Sequence, residues 1–277
     1  MDTNSTLLHY DFEPSHTVKA FSSTRISPHH LSEKLLKEMG TYAAFNLTNY
    51  CGDTPERVDR NKQWLAQQLG ITPDRIILPR QTHTDHIKVI DLHFFNLTAE
   101  ERKSYLQDVD ALITSLPATC IGISTADCVP VLIHDTRSGL CAAVHAGWRG
   151  TVQHIARQTA LLMQQMGATA ETMYAVIGPS ISLESFEVGE EVVEAFRKAG
   201  FDTASIVSRP SPMAGSPQPR PHIDLWAANC MDLESAGLPL AHIQVSGICT
   251  YRHADTFFSA RRLGIQSGRI FSAIMKP

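Results

Sequence analysis

The chain has 277 residues, 43% of them hydrophobic and 19% charged, enough to bury a large core without help from disulfides. A formal charge of -4 excludes a global pull toward nucleic acid or an anionic membrane, so any basic groove is built against the average. Met1 to Pro14 carries no basic stretch leading into an apolar run, and no apolar segment approaches the roughly 20 residues of a membrane helix, so a cytoplasmic protein is expected.

In chain order, His30 to Met39 reads as a helix, with Leu31, Leu35 and Leu36 on one side and Gly40 after it. A second helix opens with Thr54 as N-cap and Pro55 at the first helical position. Val58, Leu65 and Leu69 follow at helical spacing, and Gly70 closes it. Short β-type runs come next: Arg75 to Leu78, His86 to Asp91, Val109 to Thr114, Cys120 to Ser124, Val129 to His134 and Leu140 to His145. A long helix is expected from Thr151 to Met166, a strand from Met173 to Gly178, and helices over Glu190 to Ala199 and Leu225 to Ala236. His242 to Cys249 and Arg269 to Ile274 read as final strands. No repeat and no composition break marks a second domain. The expectation is a single compact α+β domain over 1–277, with mixed β-sheets and flanking helices. Residues 209–221, from Arg209 to Pro221, are too rich in proline, serine and glycine for regular structure and read as a mobile loop or a lid.

Three islands carry the chemistry: Gln81-Thr82-His83, Thr125-Ala126-Asp127-Cys128 and His145-Ala146-Gly147-Trp148-Arg149-Gly150. Two imidazoles and a thiol are a donor set that binds a borderline-soft divalent metal and leaves one position open. The spacing predicts that Cys128 and His145 meet. Their flanking β-runs are joined by residues 135–139, a hairpin connection by length and composition. A four-residue loop, Asp135 to Ser138, sets Cys128 directly opposite His145, with Cβ atoms roughly 4.5–5.5 Å apart. A five-residue loop sets His145 opposite Val129 instead, and Pro130, lacking an N–H, invites a bulge. His83 arrives from a polar loop end, and His86 is an alternative third ligand.

Through these islands the chain resembles the YfiH-like family, the laccase-domain or polyphenol-oxidase-type proteins. Phe21 to Arg25, Phe45-Asn46-Leu47, Gly52-Asp53, Asp108 to Leu112, Ile177 to Ile181, Glu187 to Gly189, Cys249-Thr250, Phe258 to Arg262 and Gly268-Arg269 extend the match over nearly the whole chain. The resemblance implies a zinc-dependent enzyme that takes a purine nucleoside and phosphate, by phosphorolysis, adenosine deamination or both. Adenosine, inosine, guanosine and methylthioadenosine are the implied nucleosides. It places the metal on His83, Cys128 and His145. It makes Asp127 and Arg149 catalytic candidates, and Arg25, Asn46 and Arg261 candidates for holding substrate or phosphate. Two departures stand out: Ile26-Ser27 where the family has two glycines, and Thr84 where it commonly has glycine.

The residues allow other chemistry. Asp127, beside a ligand, suits a general base or an orienter of histidine. The run from Gly147 to Thr151 offers helix N–H groups to an anion. Cys128 and His145 also form the core of a thiol hydrolase. Copper is the alternative metal, yet a multicopper oxidase needs clustered His-x-His runs, which this sequence lacks. A metal-binding module without catalysis would show a fourth protein ligand such as Cys249.

Overall fold

The computed structural model describes residues 5–14, 16–43, 45–210 and 219–277. The β-type runs form two large mixed sheets. The first has the order β1 (Leu7–Tyr10), β2 (Lys19–Ser23), β13 (Ile270–Lys276), β6 (Thr119–Thr125) and β3 (Ile76–Ile77). The second runs β12 (Ile243–Val245), β9 (Met173–Ile177), β7 (Val129–Asp135), β8 (Cys141–Ala146), β5 (Ala111–Thr114) and β4 (Ile87–Val89). A two-stranded ribbon pairs β10 (Val207–Ser208) with β11 (His222–Ile223). Most of the expected 209–221 loop, residues 211–218, lies outside the described residues.

Side-chain alternation decides the layering. Along β7, Val129, Val131 and Ile133 join a core with Ala156 and Met163 of the helix Ile155–Gln165, Phe196 of Glu190–Lys198 and Leu233 of Leu225–Ser235. Leu132 points the other way. It packs with Ala143 of β8, Ile121 and Ile123 of β6 and Ile274 of β13, so the two sheets meet face to face. The outer face of the first sheet, with Cys120, Phe271 and Ala273, covers Leu65 and Leu69 of the helix Pro55–Leu69. The layers are helix, sheet, sheet, helices, a mixed α+β fold in one unit. Leu65 is fully buried, a burial of about 1.5–3 kcal/mol. Gly122 of β6 lies under Phe271, whose Cζ a Cβ there would meet at 2.4 Å.

Local signals place several elements as expected. Pro55 starts its helix, and Gly70, at φ 74°, ends it by donating to Ala66 and Gln67 carbonyls. The first helix is shorter than expected, Glu33–Met39, because Ser32 caps it through the Leu35 amide. The expected helix from Thr151 to Met166 is two helices, Trp148–Val152 and Ile155–Gln165. His154 breaks it at φ 58°. Its Nδ1 lies 2.7 Å from Asp232 Oδ1, its Nε2 2.9 Å from the Ala199 carbonyl, and its ring stacks on Phe201. The expected strand His242 to Cys249 shrinks to β12, since Gly247 at φ 67° turns the chain.

The hairpin register is also corrected. The turn has four residues, but they are Thr136 to Gly139: the Asp135 amide donates to the Leu140 carbonyl at 2.9 Å. Asp135 stays in the strand because its carboxylate caps the turn, accepting from Ser138 N at 2.7 Å and Oγ at 2.5 Å. Gly139 supplies the φ of 74° at the last turn position. The ladder slides by two residues, and His145 pairs with Pro130, not with Cys128 or Val129. A two-residue slide preserves the face. Cys128 and His145 therefore remain on one side as diagonal neighbours.

Residues 78–86 and 126–128 each cross from the first sheet to the second. Because β3 and β6 run parallel, both crossings leave at the same rim, where β8 also ends. No helix among the described residues is long and apolar enough to cross a membrane.

Candidate metal centre

At that rim three side chains converge. One ligand atom each from His83, Cys128 and His145 lies within 4.8 Å of the others, the single such group of His, Cys, Asp and Glu among the described residues. Cys128 Sγ is 3.8 Å from His83 Nε2, and the two imidazole centroids are 4.9 Å apart, edge to face. A tetrahedral ion with nitrogen and sulfur ligands separates them by roughly 3.5 Å, so the donor set fits a metal with little movement. His83 is exposed, Cys128 half-buried and His145 buried, which leaves the group open on one side.

Asp110 builds this arrangement, and the sequence reading missed it. The register of β5 against β8 pairs Ala111 with Val144, which brings Asp110 beside His145; the His145 amide donates to the Asp110 carbonyl at 2.7 Å. The fully buried Asp110 carboxylate then accepts from His145 Nδ1 at 2.6 Å. It also accepts the amides of Thr82, His83 and Thr84 at 3.3, 3.1 and 2.8 Å, and the Thr84 hydroxyl at 2.7 Å. One carboxylate thus positions two of the three donors. With Nδ1 donating to Asp110, the neutral His145 ring keeps its Nε2 lone pair for a cation. The nest of amides also holds His83 at φ 66°, a left-handed conformation that needs such support. The signal was a carboxylate beside the apolar run from Ala111, but strands distant in sequence gave no register to read.

The electrostatics follow from the contacts. Burial pushes the Asp110 carboxyl up, and the bonds from His145 and Thr84 outweigh it and bring it to about 2. Burial also raises the Cys128 thiol, but the two imidazoles more than offset this and lower it to about 6. Burial disfavours charge on His145, while the Cys128 thiolate and Asp110 overcome it and raise the ring to about 9. Without a cation these contacts favour a thiolate on Cys128 and a proton on His145.

Gly147 makes room. A Cβ there would meet Cys128 Sγ and His83 Cδ2, each at 3.0 Å. Gln81 fixes the crossing, donating to the Ser124 carbonyl at 2.8 Å and accepting its amide at 2.7 Å.

The remaining expected residues are scattered around this core. Asp127 touches neither histidine: its carboxylate accepts from Thr250 Oγ1 and the Arg261 amide, both at 2.7 Å, at φ 85°. Arg149 is exposed and stacks on Trp148, 4.3 Å from the ring centroid. The helix it belongs to starts at Trp148 with Gly147 as N-cap, so the first free amides come from 148–150 and not from Thr151 onward. Arg261 reaches the Glu187 carbonyl at 3.2 Å from both terminal nitrogens. Arg25 bonds the Ala43 and Ala254 carbonyls and lies over Phe258. Asn46 is fully buried, and its amide is saturated by Thr48, Asp53 and the Arg269 amide, so it offers a substrate no polar atom. His86 turns to the Asp108 carbonyl and stays out of the cluster. Cys249 also stays out, its sulfur near Ser182 and Ser185, so no fourth ligand closes the shell among the described residues.

Residues 36–277 match the family model described as multi-copper polyphenol oxidoreductase laccase. The chain is 49% identical over 237 residues to a purine nucleoside phosphorylase of Bacteroides thetaiotaomicron, covering 85% of this chain and 86% of that one. It is 44% identical over 259 residues, 94% of both chains, to adenosine deaminase RL5 of an unknown prokaryotic organism. The fold is similar to YlmD of Geobacillus stearothermophilus at a TM-score of 0.82 and 28% identity, covering 98% of this chain and 96% of that one. The motifs, the fold and these relatives agree, and the chain belongs to the laccase-like YfiH family.

Proposed function

We propose that the chain is a zinc-dependent enzyme that cleaves purine nucleosides by phosphorolysis, with the metal on His83, Cys128 and His145. The observation that carries this reading is the Asp110 carboxylate: it holds the His145 ring and the His83 backbone beside Cys128, and no fourth ligand joins these three among the described residues. Zinc held this way supplies a Lewis acid and lowers the pKa of a bound water to about 7. Cys128 enters as thiolate, which its low pKa favours. Arg149, exposed beside Gly147 and without an ion pair among the described residues, is the residue proposed to hold phosphate. An oxygen of hydrogen phosphate bonds to C1′ as the C1′–N9 bond breaks, and the proton of the phosphate passes to the leaving base. Asp127 supports the site by tying the segment before Cys128 to Thr250 and Arg261.

Adenosine deamination is the second reading, favoured by the 44% identity to a protein of that name. Zinc-loaded protein incubated with adenosine, with and without phosphate, separates the two. Adenine formed only with phosphate supports the phosphorylase; inosine formed without phosphate supports the deaminase. Absence of both, with ester or amide hydrolysis abolished by Cys128→Ala, assigns the site to the thiolate–imidazolium pair instead.

A further inference from the structure

A cavity of about 570 Å³ opens between the helices Pro55–Leu69 and Ala99–Tyr105, above β3, and none of the three metal-site side chains lines it. Its size is that of a small-molecule site. The floor is apolar and drawn from the core: Leu47, Val58, Ile76 and Phe271 are all buried. The walls are not neutral. Lys62, Arg80, Arg102 and Lys103 line it against Asp59 and Asp74, a local excess of positive charge in a chain of net charge -4. Arg102 is occupied, donating to the Phe95 and Leu97 carbonyls. Lys62, Arg80 and Lys103 form no ion pair among the described residues.

Lys62 is the telling member. The side chain is half-buried in the lining, where desolvation lowers its pKa despite the pull of Asp59 and Asp74. An anion seated in the cavity would stand close to this partly desolvated cation and be attracted to it. An apolar floor ringed by half-buried Lys62 and by exposed Arg80 and Lys103 matches a ligand with an apolar body and a negative charge.

We propose that this cavity binds a small organic anion, its apolar body on Leu47, Ile76 and Phe271 and its charge against Lys62, Arg80 and Lys103. The site is separate from the proposed metal centre, yet Arg80 adjoins Gln81, and Tyr50, also in the lining, brings its hydroxyl to 3.5 Å from Gln81 Oε1. Its occupant therefore sits next to the segment that carries His83.

The test uses the full chain with 1-anilinonaphthalene-8-sulfonate, an aromatic anion, and N-phenyl-1-naphthylamine, the same body without the sulfonate. Fluorescence titration is expected to give one saturable sulfonate site per chain. Lys62→Met is expected to weaken it by about tenfold, the scale of one charge-assisted contact, and to leave the neutral amine within about twofold. Lys198→Met, on a distant helix, is expected to change neither. Arg80→Gln, at the exposed rim, gives a second reading that does not disturb the floor and is expected to weaken the sulfonate alone by about threefold. Sulfonate affinity unchanged in both Lys62→Met and Arg80→Gln, or equal affinity for the neutral amine, overturns the proposal.

Discussion

Asp110 grips His145 twice, through a 2.6 Å bond from Nδ1 to its carboxylate and a 2.7 Å bond from the His145 amide to its carbonyl. Asp110→Asn leaves the main-chain bond in place but replaces one carboxylate oxygen by an NH₂ group, which then faces either His145 and the His83 amide or the amides of Thr82 and Thr84, where an acceptor belongs. Zinc affinity is expected to fall by about 10–100-fold, as for other residues that orient a ligand. Competition against a chromophoric chelator measures it; wild-type affinity would show that Asp110 does not orient the ligands.

Gly147→Ala separates crowding from folding. The backbone φ of -63° suits any residue, but the new Cβ falls 3.0 Å from Cys128 Sγ and His83 Cδ2. Metal affinity is expected to drop by about tenfold while the thermal midpoint of the metal-free protein holds. A variant that binds zinc normally would show that these two side chains move freely.

Metal uptake should depend on pH with a definite sign. A cation competes with the proton on His145, held until about pH 9, and with the one on Cys128, lost above about pH 6. Only deprotonated groups bind metal. Affinity should therefore rise between pH 6 and 9, by about tenfold per unit where one proton is displaced. Calorimetry in buffers of different ionisation enthalpy counts the protons; zero release at pH 7.5 contradicts the assignment.

Gly122→Ala tests the first sheet. The added methyl collides with Phe271 at 2.4 Å and with the Ala273 side chain at 2.8 Å. Overpacking of this kind costs about 1–3 kcal/mol. Urea unfolding should show that loss, and restored stability in the double variant with Phe271→Leu would identify the ring as the obstacle.

Much of the site was legible in short motifs because its donors are chemically distinctive and two of them flank one hairpin. The face shared by Cys128 and His145 could be read, since parity survives a slide of two residues; their pairing could not, because the capping role of Asp135 decides where the turn starts. Asp110 was hidden for a related reason: β5 and β8 are neighbours only after a long connection has folded. The break at His154 lay beyond local rules altogether, since contacts from Asp232, Ala199 and Phe201 impose it. Pro55 and Gly70, whose signals act on their own backbone, fell where expected.

The turn Thr136 to Gly139 lies at the far tip of the hairpin from His145, six residues or about 20 Å along the strand from Gly139. The β7–β8 pair is in effect a handle with the chemistry at one end only. A fluorescent reporter carried at Arg137, the exposed residue of that tip, would ride on the protein far from the metal ligands, giving a place from which to observe the enzyme at work.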